Sequence, residues 1–289
     1  MEAVWEHTQS PDLHERWDLR FTRIEYLPKE DESDPQRFRY STKIGFGLEV
    51  AGEGESRGQR NLPDGTCSSA LRFWSNDPRA LILEGSGYWK YIPTNEGVKF
   101  LTGYDYRTRY GRLGKIIDRI VFRPLMGWAT AWSFDRLRLW LEKQIDPGLS
   151  LRMSLVHCVA RASLGTVFAY HGLVPKLLAR NANEIGMLER AGFSAGFSFA
   201  ATMAFGVMEL VFSVWLLFAW RSRLPLILCI AFMCAATIGL AATFPRVFLE
   251  PFNPFTLNLL VACMAVVDLV ALPFLPSAGR CARKPIEEH

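Results

Sequence analysis

Between residues 149 and 274 the chain carries four long apolar runs, Leu149–Val174, Phe197–Trp220, Leu224–Phe244 and Phe255–Phe274. No other feature restricts the fold so strongly. Each run is near or above the ~20 residues a helix needs to cross ~30 Å of hydrocarbon. Hydrocarbon offers a backbone no hydrogen bonds, so a run that crosses it must be helical. Three runs hold an ionisable residue near the middle: Arg161, Glu209 and Asp268. A charge at that depth is costly and faces a partner or a cavity rather than lipid.

At ~1.5 Å per residue, all three lie roughly 18–20 Å from the face at which their run enters. One cation and two carboxylates at a shared level predict a buried cluster, and His157, one turn before Arg161, can join it. Two readings are open: an ion pair that locks helix packing, or a proton or quinone-type redox site. Run one closes with His171-Gly172-Leu173-Val174-Pro175-Lys176. Gly172 and Pro175 predict a kink or stop there, with His171 and Lys176 at the outer interface. Arg221 and Arg223 link runs two and three, and Arg280, Arg283 and Lys284 follow run four. The positive-inside rule puts these sites in the cytosol. Four crossings place the N-terminus there too, as expected of a protein of the cell's inner membrane.

The first 150 residues have another character. They contain 22 Lys/Arg and 22 Asp/Glu, so the formal net charge of +4 belongs to the rest of the chain. The basic pI therefore marks membrane flanks rather than a nucleic-acid partner. The opening segment Met1–Pro11 is polar and lacks the apolar core of a signal peptide. Of the six cysteines, four lie in apolar runs, and no spacing matches a zinc site or a disulfide framework. No metal is expected. Cys281 stands in a basic tail, where acylation is the less favoured alternative to a free thiol.

Period-two alternation is clearest from Phe38 to Val50 and predicts a strand with one buried face. Residues 51–66 are rich in turn formers. Alternation returns around Leu71, at Leu81–Tyr91 and at Val98–Thr108, which predicts an antiparallel meander. A short helix is expected from Ser10 to Trp17, with Pro11 in its first turn. A long helix is expected over Gly114–Lys143, kinked at Pro124. On it Ile116, Ile117, Ile120, Val121, Met126, Trp128, Trp132 and Leu139 would share an apolar face. His14, Trp17, Asp18 and Arg20 form a polar-aromatic cluster best read as a helix-end hydrogen-bond network.

Short helices, a curved sheet and a long final helix, together with the opening VW…TQSPDLHERWD, resemble the START-like (SRPBCC) helix-grip superfamily over roughly residues 3–145. That resemblance implies a sheet wrapped around the long helix and an apolar cavity for a lipid, polyketide or similar ligand. Phe46, Phe73, Trp89, Phe100, Tyr104, Trp128 and Trp132 are the candidate lining; alternatively these rings fill a core. Superfamily members usually open with a strand, whereas this chain starts almost directly at a helix. The stretch Arg161…Tyr170-His171-Gly172-Leu173-Val174-Pro175-Lys176, then Glu184…Gly192 and Glu209, resembles the DoxX-like family of small four-helix membrane proteins over residues 150–275. Some members are subunits linked to thiosulfate–quinone oxidoreduction, which singles out Arg161, His171 and Glu209.

The expected architecture is thus an α+β helix-grip soluble domain (1–146), an all-α four-helix transmembrane bundle (147–276) and a cytosolic tail (277–289). The leading functional expectation is an integral membrane protein whose cytosolic domain binds or exchanges a lipid- or quinone-like molecule. The alternative is a quinone-linked membrane oxidoreductase subunit. No haem, flavin or iron–sulfur motif is present, so a redox role requires a quinone or a redox partner subunit. The residues do not decide whether any reaction is catalysed.

Overall fold

The computed structural model describes residues 1–29, 31–45 and 47–283. Phe46 and Lys284 lie outside the described residues. The chain divides into two compact units, one formed by Met1–Ser150 with Pro276–His289, the other by Leu151–Leu275.

The first unit opens with α1 (Glu2–Gln9) and α2 (Pro11–Trp17), with Pro11 in the first turn of α2. Six strands follow: β1 (Arg23–Tyr26), β2 (Arg37–Gly45), β3 (Leu48–Asn61), β4 (Cys67–Trp74), β5 (Ile82–Thr94) and β6 (Gly97–Thr108). They form one antiparallel sheet in sequential order, β1 to β6. The register Phe38↔Gly54, Gly54↔Phe73, Phe73↔Gly85 and Gly85↔Tyr106 carries one face across five strands. This face is aromatic and glycine-rich. The opposite face is charged, with Arg37–Glu53, Arg72–Glu84 and Arg107–Glu84 ion pairs at 3.2, 3.2 and 2.7 Å. These surface pairs fix cross-strand neighbours more than they add stability.

The segment 51–66, expected as a loop, is mostly the 14-residue strand β3. The turn instead falls near Gly47, whose φ of 77° suits glycine. Glycine-rich composition misled here because Gly52 and Gly54 are pairing positions. A Cβ on either would come within 2.4 Å of the Tyr40 or Phe38 ring on the neighbouring strand. The glycines make room for rings, not for a bend out of the sheet.

After β6 come α3 (Gly111–Ile117), a π-helical turn (Asp118–Phe122) and α4 (Arg123–Lys143). Pro124 stands at the start of α4. Gly114 and Asp118 are buried, and in α4 the run Thr130–Ser133 with Asp135–Leu137 and Leu139 is buried. The anticipated apolar face is only partly the buried one: Ile116, Ile117, Ile120, Val121 and Trp128 are exposed, whereas Trp132 and Leu139 are buried. Spacing alone groups residues on a face but does not say which face the sheet covers. The C-terminal segment returns to this unit: Ser277 N–H donates to Asp135 at 2.7 Å, and the Cys281 thiol donates to the Ala131 carbonyl at 3.2 Å.

The second unit takes in most of α5 (Pro147–His171), followed by a π-helical stretch (Gly172–Leu178) containing Pro175. Then come α6 (Ala182–Arg190), α7 (Ala195–Phe218), α8 (Leu224–Thr243) and α9 (Pro254–Ala271). Ser194 and Asn253 cap α7 and α9 through their side chains, and proline opens α8 and α9. Among the described residues three helices are long and apolar enough to cross a membrane: Ala195–Phe218, Leu224–Thr243 and the one beginning at Pro254. The 25-residue α5 is long enough but less apolar, because it carries Arg152, His157 and Arg161. Leu164, Phe168, Leu216, Leu226, Val261 and Ala265 form the core of this unit. Large apolar side chains such as Leu155, Val211, Ile238 and Leu260 lie outside, more than 60% exposed, while His157, Arg161 and Asp268 are at most 1% exposed. Charge inside and hydrocarbon outside is the pattern lipid demands.

Candidate functional site

Inside the second unit, α5 offers His157 and Arg161 one turn apart, and α9 offers Asp268 opposite them. The Arg161 Nε lies 2.7 Å from Asp268 Oδ2, with both side chains fully buried. The His157 Nδ1 pairs with Asp268 Oδ1. The remaining guanidinium nitrogens donate to the Leu216 carbonyl at 3.0 Å and the Ser222 carbonyl at 2.6 Å. Arg161 therefore closes the C-terminal end of α7, where unpaired carbonyls and the helix dipole favour a cation. His157 meets Trp220 edge-on, centroids 4.6 Å apart. Its Nε2 is buried and has no hydrogen-bond partner among the described residues. This arrangement holds one imidazole nitrogen on a carboxylate, fixes the carboxylate on a permanent cation, and leaves the second nitrogen open. That nitrogen is left to donate or accept one hydrogen bond, according to the ring's tautomer.

The structure separates Glu209 from this group. Glu209 pairs with Lys176 at 3.0 Å, and Lys176 also reaches Glu184 at 3.4 Å. The expected common level came from counting residues from the start of each run. The cluster instead sits by the α7–α8 turn, since Arg161 contacts Ser222 and Asp268 lies three residues from the end of α9. The π-helical turn after His171 folds Lys176 back toward α7. It is close there because Gly172 and Gly206 face each other: a Cβ on Gly172 would stand 2.5 Å from the Gly206 carbonyl oxygen. His171 joins neither cluster through its ring; its carbonyl accepts from Lys176 at 3.4 Å, and its ring lies edge-on to Tyr170.

In the sheet unit, the candidate cavity rings touch one another. Phe100 stacks on Tyr91 at 5.0 Å and on Phe134 of α4 at 4.6 Å, with Trp89 edge-on at 5.9 Å. Trp128 stacks on Trp132 at 6.0 Å. Phe73 lies over Gly85, and the Tyr104 hydroxyl meets Thr130 at 3.5 Å. Two open hollows of about 690 and 400 Å³ exist in this unit. They are lined by Asp12, Glu15, Arg23 and Lys43, and by Arg72, Glu84 and Arg107. None of the described candidate rings lines either.

His14, Trp17, Asp18 and Arg20 do form a buried network. Asp18 accepts from His14 Nε2 at 3.0 Å and from Arg20 at 2.6 Å, and His14 stacks on Trp17 at 4.9 Å. Burial by itself would raise the Asp18 carboxyl, but the Arg20 charge and the His14 and Arg20 hydrogen bonds outweigh it and hold it far below the carboxylate range. Burial and the Asp118 carboxylate, which accepts the Tyr106 hydroxyl at 2.5 Å, push the Tyr106 phenol up to about 12. Burial also raises the Cys281 thiol. Among the described residues no group of three or more His, Cys, Asp or Glu side chains is placed to hold a metal.

Sequence reasoning missed the Leu216 and Ser222 carbonyls, Trp220 and the Lys176–Glu209 pair. Carbonyl acceptors carry no sequence signal. Trp220, beside Arg221-Ser222-Arg223 at the end of an apolar run, had the composition of an interface anchor and was the one recoverable clue.

A sheet-bearing unit followed by apolar helices with charges turned inward defines an integral membrane protein. Residues 165–266 match the DoxX-like family. The chain is also 45% identical over 190 residues to the uncharacterized membrane protein YndG of Bacillus subtilis (strain 168), covering 65% of this chain and 70% of that relative. This chain belongs to the DoxX-like family of membrane proteins. No solved structure matches it.

Proposed function

We propose that the helical unit is a four-helix transmembrane bundle that binds a quinone-type head group and exchanges a proton with it at His157. The observation that carries this reading is the open, buried Nε2 of His157, on a ring held by Asp268 and, through it, Arg161. A buried polar atom without a partner calls for a ligand or a chemical role. His157 would hold a carbonyl or hydroxyl of the head group; a bound quinone would supply two-electron redox chemistry. Asp268 orients the ring, and Arg161 offsets the carboxylate charge, so the cluster carries no net charge while the imidazole is neutral. In this reading the protein is a subunit of a quinone-linked oxidoreductase that works with a redox partner subunit.

The reading includes α5 as a fourth crossing. Its His157 and Arg161 are buried within the unit, and its exposed side chains include Leu151, Leu155 and Val159. Arg221, Arg223, Arg280 and Arg283 then mark the cytosolic side of the cell's inner membrane, with both termini on it. The same reading takes the sheet unit as a helix-grip domain, which is supported by α4 meeting the aromatic face through the Phe134–Phe100 stack. A lipid- or quinone-carrier role for that unit has less support, because Phe100, Trp89 and Tyr91 are packed ring on ring.

The test is to extract the full chain in mild detergent and quantify co-purified quinones by mass spectrometry, for the parent protein and for His157→Gln. Quinone retained by the parent and lost from a variant of unchanged melting temperature supports the proton-site reading. Equal retention, or none in either, leaves the cluster as a packing lock.

A further inference from the structure

The surface of α3, the π-helical turn and the start of α4 is strongly apolar although it belongs to the sheet unit. Leu113, Ile116, Ile120, Val121 and Leu125 are each 55–68% exposed, and Trp128 is 43% exposed. Leu113, Ile116 and Ile120, and then Val121, Leu125 and Trp128, follow spacings of three and four residues, so the two rows form one broad side of the helix. A patch of this size on a water-facing domain marks an interaction surface. Arg112, Lys115, Arg119 and Arg123 recur at the same spacing one position away, and all four are exposed. The one acidic residue among them, Asp118, is turned to the sheet, buried and held by Tyr106 and by Arg123 at 2.7 Å. The exposed side therefore shows cations beside hydrocarbon, without an exposed carboxylate. Between Gly111 and Leu125, the residues that face inward are Gly114, Asp118 and the half-buried Phe122, spaced four apart.

We infer that this side of Gly111–Trp128 docks on an anionic bilayer surface, its apolar residues among the upper acyl chains and its cations at the lipid phosphates. The charge argues for lipid over a protein partner: a basic, apolar helix with a tryptophan at its edge is matched by anionic head groups above hydrocarbon. The chain carries its own membrane-crossing helices, so a bilayer is always within reach. Attraction to an anionic leaflet is worth about fivefold in occupancy for each Lys or Arg brought to the surface.

The experiment uses the full chain in nanodiscs, with the photo-reactive benzoylphenylalanine in place of Ile120 or, as a control on the charged sheet face, in place of Lys99. Irradiation followed by intact mass measurement should give phospholipid adducts at position 120 and few at 99. Phosphatidylglycerol in the disc should raise the yield at 120 at least fivefold over pure phosphatidylcholine. The triple change Arg112→Gln, Lys115→Gln, Arg119→Gln should remove that gain. Adducts to a second copy of the chain, no adducts at 120, or equal lipid yields at 120 and 99 would overturn the inference. If the Ile120 replacement lowers the melting temperature, the same measurement at Leu125 decides.

Discussion

Replacing Asp268 by alanine tests the physical logic of the intramembrane cluster most directly. The carboxylate holds two groups, Arg161 at 2.7 Å and the His157 ring, in a site from which all three side chains exclude solvent. Two unit charges ~4 Å apart interact by about 4 kcal/mol at an effective dielectric near 20. Deleting the carboxylate forfeits that attraction and strands the guanidinium, so the expected loss is about 3–5 kcal/mol. The Leu216 and Ser222 carbonyls stay bonded to Arg161, which argues for the lower half of that range. Equilibrium unfolding of the full chain in mixed detergent micelles, followed by tryptophan fluorescence, reads the change. The double variant Arg161→Leu, Asp268→Leu is the control. With both charges gone it should recover most of the loss, because the cost lies in the unpaired cation. An Asp268→Ala protein within about 0.5 kcal/mol of the parent, a change typical of surface sites, would refute the pairing.

Three further outcomes follow from the same geometry. Glu209→Ala should cost about 1–3 kcal/mol, less than Asp268→Ala, because Lys176 and Glu209 each keep 13% exposure and Lys176 retains Glu184; the same unfolding measurement compares them. Gly206→Val should destabilise by at least about 1–3 kcal/mol, since its Cβ would meet the Gly172 carbonyl at 2.9 Å, and a thermal melt checks it. Asp18 has a folded pKa depressed by Arg20 and His14 against the cost of burial, so its contribution is complete above the unfolded value of ~3.9 and declines as pH falls below it toward the folded value. Asp18→Asn should therefore flatten the fall in melting temperature between about pH 4 and pH 2, and an unchanged slope would count against the buried ion pair.

The sequence by itself determined that three of its runs are long and apolar enough to cross a membrane and that charged residues among them need partners. Long apolar runs leave a backbone no choice but helix, and a charge among them has no solvent to turn to. Arg161, His157 and Asp268 were legible for that reason, as were the strands around Leu71, Leu81–Tyr91 and Val98–Thr108 and the His14–Asp18–Arg20 network, whereas the single strand expected from Phe38 to Val50 is broken by the turn at Gly47. Tertiary structure decided the partners. Glu209 went to Lys176 because a π-helical turn and the Gly172–Gly206 contact brought that lysine to α7, and neither shows in residue spacing. Gly52 and Gly54 looked like loop and became strand because the Tyr40 and Phe38 rings needed their space. The helix from Gly111 to Trp128 had a readable apolar side, but sequence could not say that the sheet would leave it bare. Local pattern fixes what each segment must hide; only the packed chain decides which neighbour hides it.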